Sequence, residues 1–226
     1  MTGASSGIGK AAVEEFASVG CKIFATARRV TELDRLKKEI NSKHLEIYPC
    51  NVASQANVEQ IFKKITSENQ INCLVNNAGI TSFKTAEDNT IKEIDDIIKT
   101  NLLGSIYTLK STLAHMKKIG GGTIINVLST VVVKTFTNSS VYTASKMGLL
   151  GYLKVLREEV RDYKIRIINI IPGATETAMW TRETREKHAD RMMNPKSLAR
   201  LMVSSFLQKD NLVAEEIVVR PIEGDL

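Results

Sequence analysis

The 226-residue sequence predicts one α/β domain in which a doubly wound parallel sheet lies between two layers of helices. Short apolar runs alternate with stretches of helical period along nearly the whole chain, which is the pattern of repeated βαβ units. The composition, 43% hydrophobic and 25% charged residues with only 4 Pro, is typical of a compact globular domain. No linker or internal repeat interrupts the pattern, so we expect one domain over residues 1–226.

Six short segments that are rich in apolar and β-branched residues are the predicted strands: residues 22–26, 45–48, 73–76, 123–127, 165–171 and 216–220. Apolar residues three and four positions apart, such as Leu33, Leu36 and Ile40, predict helices between them. Pro195 in a first helical turn predicts a further helix. The least regular stretch, residues 178–194, is expected to form a mobile flap or short helices.

The beginning of the chain departs from the pattern. A βαβ fold needs a strand before its first glycine-rich turn, yet that turn begins at residue 2. Either the natural chain starts upstream, or the fold lacks its central strand and leaves two neighbouring strands with unpaired edges. We expect a truncated sequence whose first strand is missing or shortened.

Charge and composition exclude several function classes. The 31 Lys and Arg against 25 Asp and Glu give a net charge of +6, which suits anionic ligands but is too scattered to predict nucleic-acid binding. Apolar runs fall well short of the roughly 20 residues of a membrane helix, and no secretory signal is visible. The 3 cysteines are odd in number and widely spaced, so we expect no disulfides and a cytoplasmic location. The three histidines lie far apart, and we expect no metal site.

A glycine-rich turn opens the first helical stretch with the sequence Gly3-Ala4-Ser5-Ser6-Gly7-Ile8-Gly9. Glycine lets the backbone turn tightly and approach a phosphate, and the new helix offers free N–H groups and its positive dipole end. The spacing differs from the commoner GxGxxG motif, and an ordinary loop before a helix is the alternative interpretation.

Two arginines follow the strand predicted at residues 22–26. At this place, roughly 20 residues beyond the turn, proteins that bind NAD carry an acidic residue for the ribose 2′-hydroxyl. A carboxylate would repel a 2′-phosphate, whereas guanidinium groups bind one through charge-assisted hydrogen bonds. Arg28 and Arg29 therefore predict NADP(H) in preference to NAD(H), with Arg28 as the expected contact. The alternative is that both are simply surface residues.

Tyr142 and Lys146 lie four residues apart at the start of a helical stretch, so they project from one helix face. A nearby ammonium group stabilises a phenolate and would lower the tyrosine pKa from about 10. Such a tyrosine can exchange a proton with a carbonyl or alcohol oxygen. Taken alone, this spacing is more often an ordinary helix-surface pair.

Several further motifs occur in order along the chain. They are Thr2-Gly3 with Gly7-Ile8-Gly9, Asn76-Asn77-Ala78-Gly79 after a strand, Asn101 in a long helical stretch, Ser129 thirteen residues before Tyr142, Lys146, and Pro172-Gly173 with Thr177. With these motifs the sequence resembles the short-chain dehydrogenase/reductase family over residues 2–180. The resemblance implies a Rossmann-type oxidoreductase, of the NADP(H)-preferring carbonyl reductase type, that acts on a small carbonyl or alcohol substrate.

The resemblance also implies a role for each matching residue. Tyr142 would be the proton donor in reduction and the base in oxidation, while Lys146 would lower its pKa and bind the nicotinamide ribose. Ser129 would hold the substrate oxygen, and Asn101 would hold the helix kink and the water of a proton relay. The residues that would contact the cofactor are Gly3, Ser5, Ser6, Gly7, Ile8, Gly9, Arg28, Arg29, Asn51, Val52, Asn77, Ala78, Gly79, Tyr142, Lys146, Pro172, Gly173 and Thr177.

Two positions depart from the family pattern. Asn51 stands where the family commonly has Asp near the adenine, and Leu128 stands where a second serine is common. We expect these changes to alter local polarity more than catalysis. The alternative function is a non-catalytic dinucleotide-sensing or interaction protein on the same fold, against which the complete catalytic set argues.

Substrate specificity is expected to depend on the flap at residues 178–194 and on side chains that follow Ser129. Candidates after Ser129 are Val131, Phe136 and Val141, and candidates for an apolar lid are Met179, Trp180, Met192 and Met193. The resemblance further implies homodimers or homotetramers built on the long helices around residues 89–116 and 142–163.

Overall fold

A computed structural model of the chain describes residues 1–208 and 211–226. Within these ranges every strand runs parallel to its neighbours. The strands are β1 (Ile23–Ala27), β2 (Leu45–Pro49), β3 (Cys73–Asn76), β4 (Gly122–Val127), β5 (Ile165–Pro172) and β6 (Glu216–Val219). All six predicted strands are confirmed, each with bounds within one residue of the prediction.

Helices connect the strands on both faces. They are α1 (Gly7–Ser18), α2 (Val30–Ile40), α3 (Gln55–Glu68), α4 (Ile91–Ile97), α5 (Gly104–Ile119), α6 (Ser140–Val160), α7 (Arg182–His188) and α8 (Pro195–Leu207). A π-helical segment, Ile98–Leu103, joins α4 to α5 without a break. The flap region contains short helices, α7 among them, and α8 begins with Pro195 in its first turn as predicted.

The sheet has two hydrogen-bonded parts, β1 with β2, and β3-β4-β5-β6 in that order. The first residues of the chain lie between them. The Thr26 N–H donates to the Met1 carbonyl at 2.8 Å, and the Thr2 N–H donates to the Val75 carbonyl at 3.0 Å. Met1 and Thr2 therefore occupy the position between β1 and β3 and link the two parts of the sheet.

Successive side chains along each strand point to opposite faces of the sheet, and this divides the core into two layers. Val75 and Ile125 pack on the face covered by α1, α2 and α8, whereas their sequence neighbours Leu74 and Ile124 pack on the face covered by α3, α5 and α6. Both faces of a doubly wound sheet are buried, which is why its strands are almost continuously apolar. Each fully buried aliphatic side chain contributes about 1.5–3 kcal/mol to this core.

The parallel strands bring their carboxyl ends to one edge of the sheet, where the loops after β1 to β5 meet. This is the edge at which doubly wound folds bind ligands. In the part of the chain that the structure describes, no helix has both the length and the apolar character needed to cross a membrane.

Candidate active site

A cavity of about 1050 Å³ opens at the carboxyl ends of the strands. Most of the residues that sequence reasoning selected line its wall. They are Gly3, Ser5, Ser6, Gly7, Ile8, Arg28, Arg29, Val52, Asn77, Ala78, Gly79, Ser129, Tyr142, Lys146, Pro172, Gly173 and Thr177. Gly9, Asn51 and Asn101 lie outside the wall.

The glycine-rich turn has the geometry that its sequence predicts. Gly3 has φ +64° and Gly7 has φ +53°, a region that side chains other than glycine rarely adopt. A Cβ at Gly9 would lie 2.2 Å from the Gly3 carbonyl oxygen, so this glycine is required where α1 packs on the turn. Ser6 is the residue before α1, and its side chain makes no capping hydrogen bond. It therefore does not compete for the first backbone N–H groups of the helix.

The segment after β3 fixes the turn in place. The Thr2 hydroxyl accepts hydrogen bonds from the backbone N–H groups of Asn77 and Ala78, both at 3.0 Å. The Asn77 amide donates back to the carbonyl oxygens of Thr2 at 3.1 Å and Gly3 at 3.3 Å. These four bonds hold the two loops together across 75 residues of sequence, and so form one wall of the cavity.

The two arginines differ in how they are held. The Arg29 guanidinium donates from Nη2 to the hydroxyl oxygens of Ser5 and Ser6, at 3.0 Å each. Arg28 also lines the cavity and is exposed. The structure thus orients Arg29 beside the glycine-rich turn, whereas the sequence favoured Arg28 as the contact.

Asn51 faces away from the cavity. Its side-chain oxygen accepts the Ala53 N–H at 3.2 Å, which forms a local turn. Cys50 and Val52 line the wall in its place. Burial raises the pKa of the Cys50 thiol to about 11, so this cysteine is a small neutral wall group at physiological pH.

Tyr142, Lys146 and Ser129 all line the cavity. Burial raises the pKa of Tyr142 to about 12, and a hydrogen bond with Ser129 offsets part of that rise. The Lys146 ammonium donates to the Val127 carbonyl at 2.8 Å and lies 5.8 Å from the centre of the Tyr142 ring. Burial also lowers the pKa of Lys146 to about 8.

These values correct one expectation. Tyr142 and Lys146 do share a helix face, but the pKa of Tyr142 is raised by burial instead of lowered. The physical reason is desolvation, because a buried phenolate loses its water and the hydrogen bond with Ser129 offsets only part of that loss.

Asn101 lies in the π-helical segment and is fully buried. Its side chain pairs with both backbone groups of Ile80, accepting the N–H at 2.9 Å and donating to the carbonyl at 2.8 Å. Its amide also donates to the Ser145 hydroxyl at 3.0 Å, and that hydroxyl donates to the Tyr142 carbonyl at 2.7 Å. Asn101 therefore ties the loop after β3 to the helix that carries Tyr142.

A ladder of buried asparagines supports this site from within the sheet. Asn76, Asn126 and Asn169 lie at the same level on β3, β4 and β5. The side-chain amide of Asn76 donates to the side-chain oxygen of Asn126 at 3.3 Å, and the side-chain amide of Asn126 donates to the side-chain oxygen of Asn169 at 3.2 Å. The Thr108 hydroxyl joins the ladder to α5 through Asn76. Sequence patterning treated these positions as strand residues and missed their polar pairing.

The end of the cavity beyond Ser129 is apolar and aromatic. Phe83 and Trp180 stack with ring centres 4.8 Å apart, which joins the loop after β3 to the flap. Val131, Phe136 and Met179 line the wall as expected, and so do residues without a sequence signal: Phe83, Thr137, His188 and Asp225. The other residues that the sequence suggested for substrate specificity do not line the cavity; they are Val141, Met192 and Met193.

Comparisons with known proteins now decide the family. A family model described as short chain dehydrogenase matches residues 1–188. The chain belongs to the short-chain dehydrogenase family. Among curated proteins, sepiapterin reductase of Chlorobaculum tepidum is 31% identical over 236 residues, which cover 100% of this chain and 96% of that protein.

Solved structures agree with this family. An alcohol dehydrogenase from the archaeon Thermococcus sibiricus, complexed with 5-hydroxy-NADP, is 25% identical with a TM-score of 0.90, over 100% of this chain and 97% of that one. A 3-ketoacyl-(acyl-carrier-protein) reductase from Brucella melitensis, complexed with NADH, is 26% identical with a TM-score of 0.88, over 96% and 94% of the two chains. The predicted α/β fold and family are thereby confirmed.

Proposed function

We propose that this protein is an NADP(H)-dependent oxidoreductase that interconverts a carbonyl group and an alcohol on a small molecule. One observation carries the proposal. A single cavity contains the glycine-rich turn at the start of α1 and also the Tyr142, Ser129 and Lys146 side chains. A protein that only binds a dinucleotide has no need of an acid–base group and an oxygen-binding group in the same cavity.

The residues present fit a dinucleotide. The first N–H groups of α1 and the positive φ angles of Gly3 and Gly7 make a concave backbone surface suited to a pyrophosphate. Arg28 and Arg29 supply guanidinium groups for a 2′-phosphate. When bound, the nicotinamide supplies or accepts the hydride.

The chain's own residues would handle the oxygen and the proton. In reduction, the carbonyl carbon gains the hydride, Ser129 donates a hydrogen bond to the carbonyl oxygen, and the Tyr142 hydroxyl gives that oxygen its proton. With a pKa of about 12, Tyr142 is protonated at neutral pH and is ready to donate. The positive charge of Lys146 stabilises the phenolate that remains, until solvent returns a proton.

The relatives support the same class of reaction. The curated relative is named as a reductase, and the archaeal alcohol dehydrogenase carries an NADP derivative. The NADH-bound neighbour makes cofactor preference a matter for measurement.

Cofactor preference is tested by removing each arginine. We expect Arg29→Ala to lower kcat/KM for NADPH by about 10- to 150-fold, the equivalent of one charged hydrogen bond of about 1.5–3 kcal/mol, with little effect on NADH. Arg28→Ala is the matched variant, because Arg28 lines the same wall without the serine contacts of Arg29. Equal kcat/KM for NADPH and NADH in the native protein would contradict NADP(H) preference.

The reaction itself is tested with a panel of ketones, aldehydes, diketones and 3-oxoacyl thioesters, followed by nicotinamide absorbance with both cofactors. We expect turnover of at least one member, and a fall of about 10²- to 10⁴-fold in Tyr142→Phe, the usual value of a positioned proton donor. Tyr152→Phe is the matched control, since Tyr152 lies on α6 outside the cavity wall. Cofactor binding without hydride transfer across the panel would favour the dinucleotide-sensing alternative.

We also propose a homodimer or homotetramer that uses α4 and α6. These helices contact each other, and they expose large apolar side chains, Ile91 at 77% and Val155 at 61%. Light scattering should give a mass of two or four chains, and Val155→Glu should lower it. A monomeric mass for the native protein would contradict this proposal.

A further inference from the structure

Asp225, beyond the last strand, is a buried carboxylate on the cavity wall. Its side chain is 5% exposed. One carboxylate oxygen, Oδ2, pairs with the Lys134 ammonium at 2.9 Å and with the Arg220 guanidinium at 3.2 Å. Neither cation belongs to the cavity wall, whereas Asp225 does. The two cations therefore hold the carboxylate from behind.

The second carboxylate oxygen, Oδ1, is left without a partner. It is buried and makes no hydrogen bond with any of the described residues. Gly173 is next to it, since a Cβ on that glycine would lie 3.4 Å from Oδ1. A buried carboxylate oxygen normally accepts a hydrogen bond, and this one belongs to a residue that lines the cavity, so a ligand in the cavity is the candidate donor.

The position of Asp225 relates this oxygen to the substrate. Lys134 comes from the loop that follows Ser129, and the Arg191 guanidinium of the flap region donates to the Asp225 carbonyl at 3.1 Å. Asp225 is thus held by the loop after β4 and by the flap, and both segments contribute residues to the cavity wall. Phe136 and Trp180 are among them.

We propose that Asp225 is a specificity-determining residue, which accepts a hydrogen bond from an N–H or O–H group of the substrate at a distance from the reacting carbonyl. The inference rests on the proposed function, because it concerns the substrate of that site. The expected substrate class is a carbonyl compound with a flat or apolar body and a hydroxyl, amide or amino donor. Compounds with a carboxylate at that position are disfavoured by repulsion from Asp225.

Binding can be measured without turnover because Trp180 is the only tryptophan of the chain and lines the cavity. The protein is saturated with NADP⁺, which cannot reduce a ketone, and Trp180 fluorescence is followed as each probe is added. The probes are hydroxyacetophenone and methoxyacetophenone, compared in pairs at each of the three ring positions. We expect at least one pair in which the hydroxyl compound binds about tenfold more tightly, the effect of one hydrogen bond of about 1.4 kcal/mol.

Asp225→Asn makes the test sharper. The asparagine carbonyl would take the place of Oδ2 beside Lys134 and Arg220, because those cations attract it, so its NH₂ group would face the cavity. The variant should then lose the preference for the hydroxyl probe or reverse it. Lys134→Gln is the matched control: it removes one ion pair behind Asp225 and should keep the native preference.

Three results would overturn the proposal. The first is the absence of a hydroxyl preference in every pair of the native protein, which needs no variant to fold. The second is an unchanged preference in a folded Asp225→Asn protein. The third is weaker binding of NADP⁺ in that variant with no such loss for the 3-acetylpyridine analogue, because Oδ1 would then serve the nicotinamide amide. Reduction of the same ketones by NADPH, assayed separately, shows whether the proposed function fails independently.

Discussion

Replacement of Gly9 by alanine tests the close packing between α1 and the glycine-rich turn. A Cβ at this position would lie 2.2 Å from the Gly3 carbonyl oxygen and 2.5 Å from the Asn77 amide nitrogen. Backbone would have to move by about 1 Å to restore van der Waals contact, and overpacking of this kind costs about 1–3 kcal/mol. Alanine's better helix propensity returns up to about 1 kcal/mol. We expect a net loss of about 1 kcal/mol and a melting temperature lower by about 2–4 °C.

Gly151→Ala is the matched control for this substitution. Gly151 is also an interior helix glycine, in α6, but within a single chain a Cβ there would meet nothing within 4 Å. The control should therefore gain about 1 kcal/mol and melt about 2–4 °C higher. Scanning calorimetry of the two variants measures the difference, and NADPH titration should show weaker binding only in Gly9→Ala. Equal melting temperatures for the two variants would refute the packing argument.

Three further predictions concern titration and buried hydrogen bonds. His115 accepts a hydrogen bond from the Ile71 N–H at 3.1 Å. Burial, and to a smaller extent the charge of Lys118, lowers the His115 pKa below 6.5. The unfolded chain therefore binds more protons than the folded chain, and the free energy of unfolding should fall as pH drops below about 6.5. Because burial lowers the pKa of Lys146 to about 8, kcat/KM for reduction should fall above that pH, and Lys146→Arg should move the fall to higher pH. Asn101→Ala should lower the free energy of unfolding by about 1–3 kcal/mol and reduce kcat, because it leaves the Ile80 backbone unpaired.

Each of these predictions has a simple check. The urea midpoint, measured at several pH values, should fall less steeply with decreasing pH in His115→Gln than in the native protein. Equal slopes in the two proteins would contradict the role of this histidine. An unchanged alkaline limb in Lys146→Arg would assign that titration to another group. Asn101→Ala with native kcat would restrict the asparagine to a purely structural role.

The sequence predicted well wherever function follows from local geometry. Strand and helix positions follow from hydrophobic period, and the shared face of Tyr142 and Lys146 follows from the pitch of one helix. The glycine turn could likewise be interpreted in isolation, since positive φ angles at Gly3 and Gly7 are a property of the turn itself.

Long-range contacts decided the remaining features. The pKa values of Tyr142 and Lys146 depend on burial, and that of Tyr142 depends also on its hydrogen bond with Ser129 of the loop after β4, which no spacing along α6 reveals. The choice between Arg28 and Arg29 depends on two serine hydroxyls 24 and 23 residues away from Arg29. Asp225 enters the cavity only because the segment after β6 packs beside Gly173, and it stands outside every recognised motif.

Transfer of deuterium in a single turnover tests the proposed chemistry most directly. NADPH that carries deuterium at C4 in the transferred position is mixed with excess enzyme and a carbonyl substrate found in the panel. The account predicts that the alcohol product carries deuterium on its carbinol carbon, and that Tyr142→Phe, saturated with NADPH, slows this transfer by about 10²- to 10⁴-fold. A product without deuterium, or a Tyr142→Phe protein that transfers it at the native rate, would contradict the account.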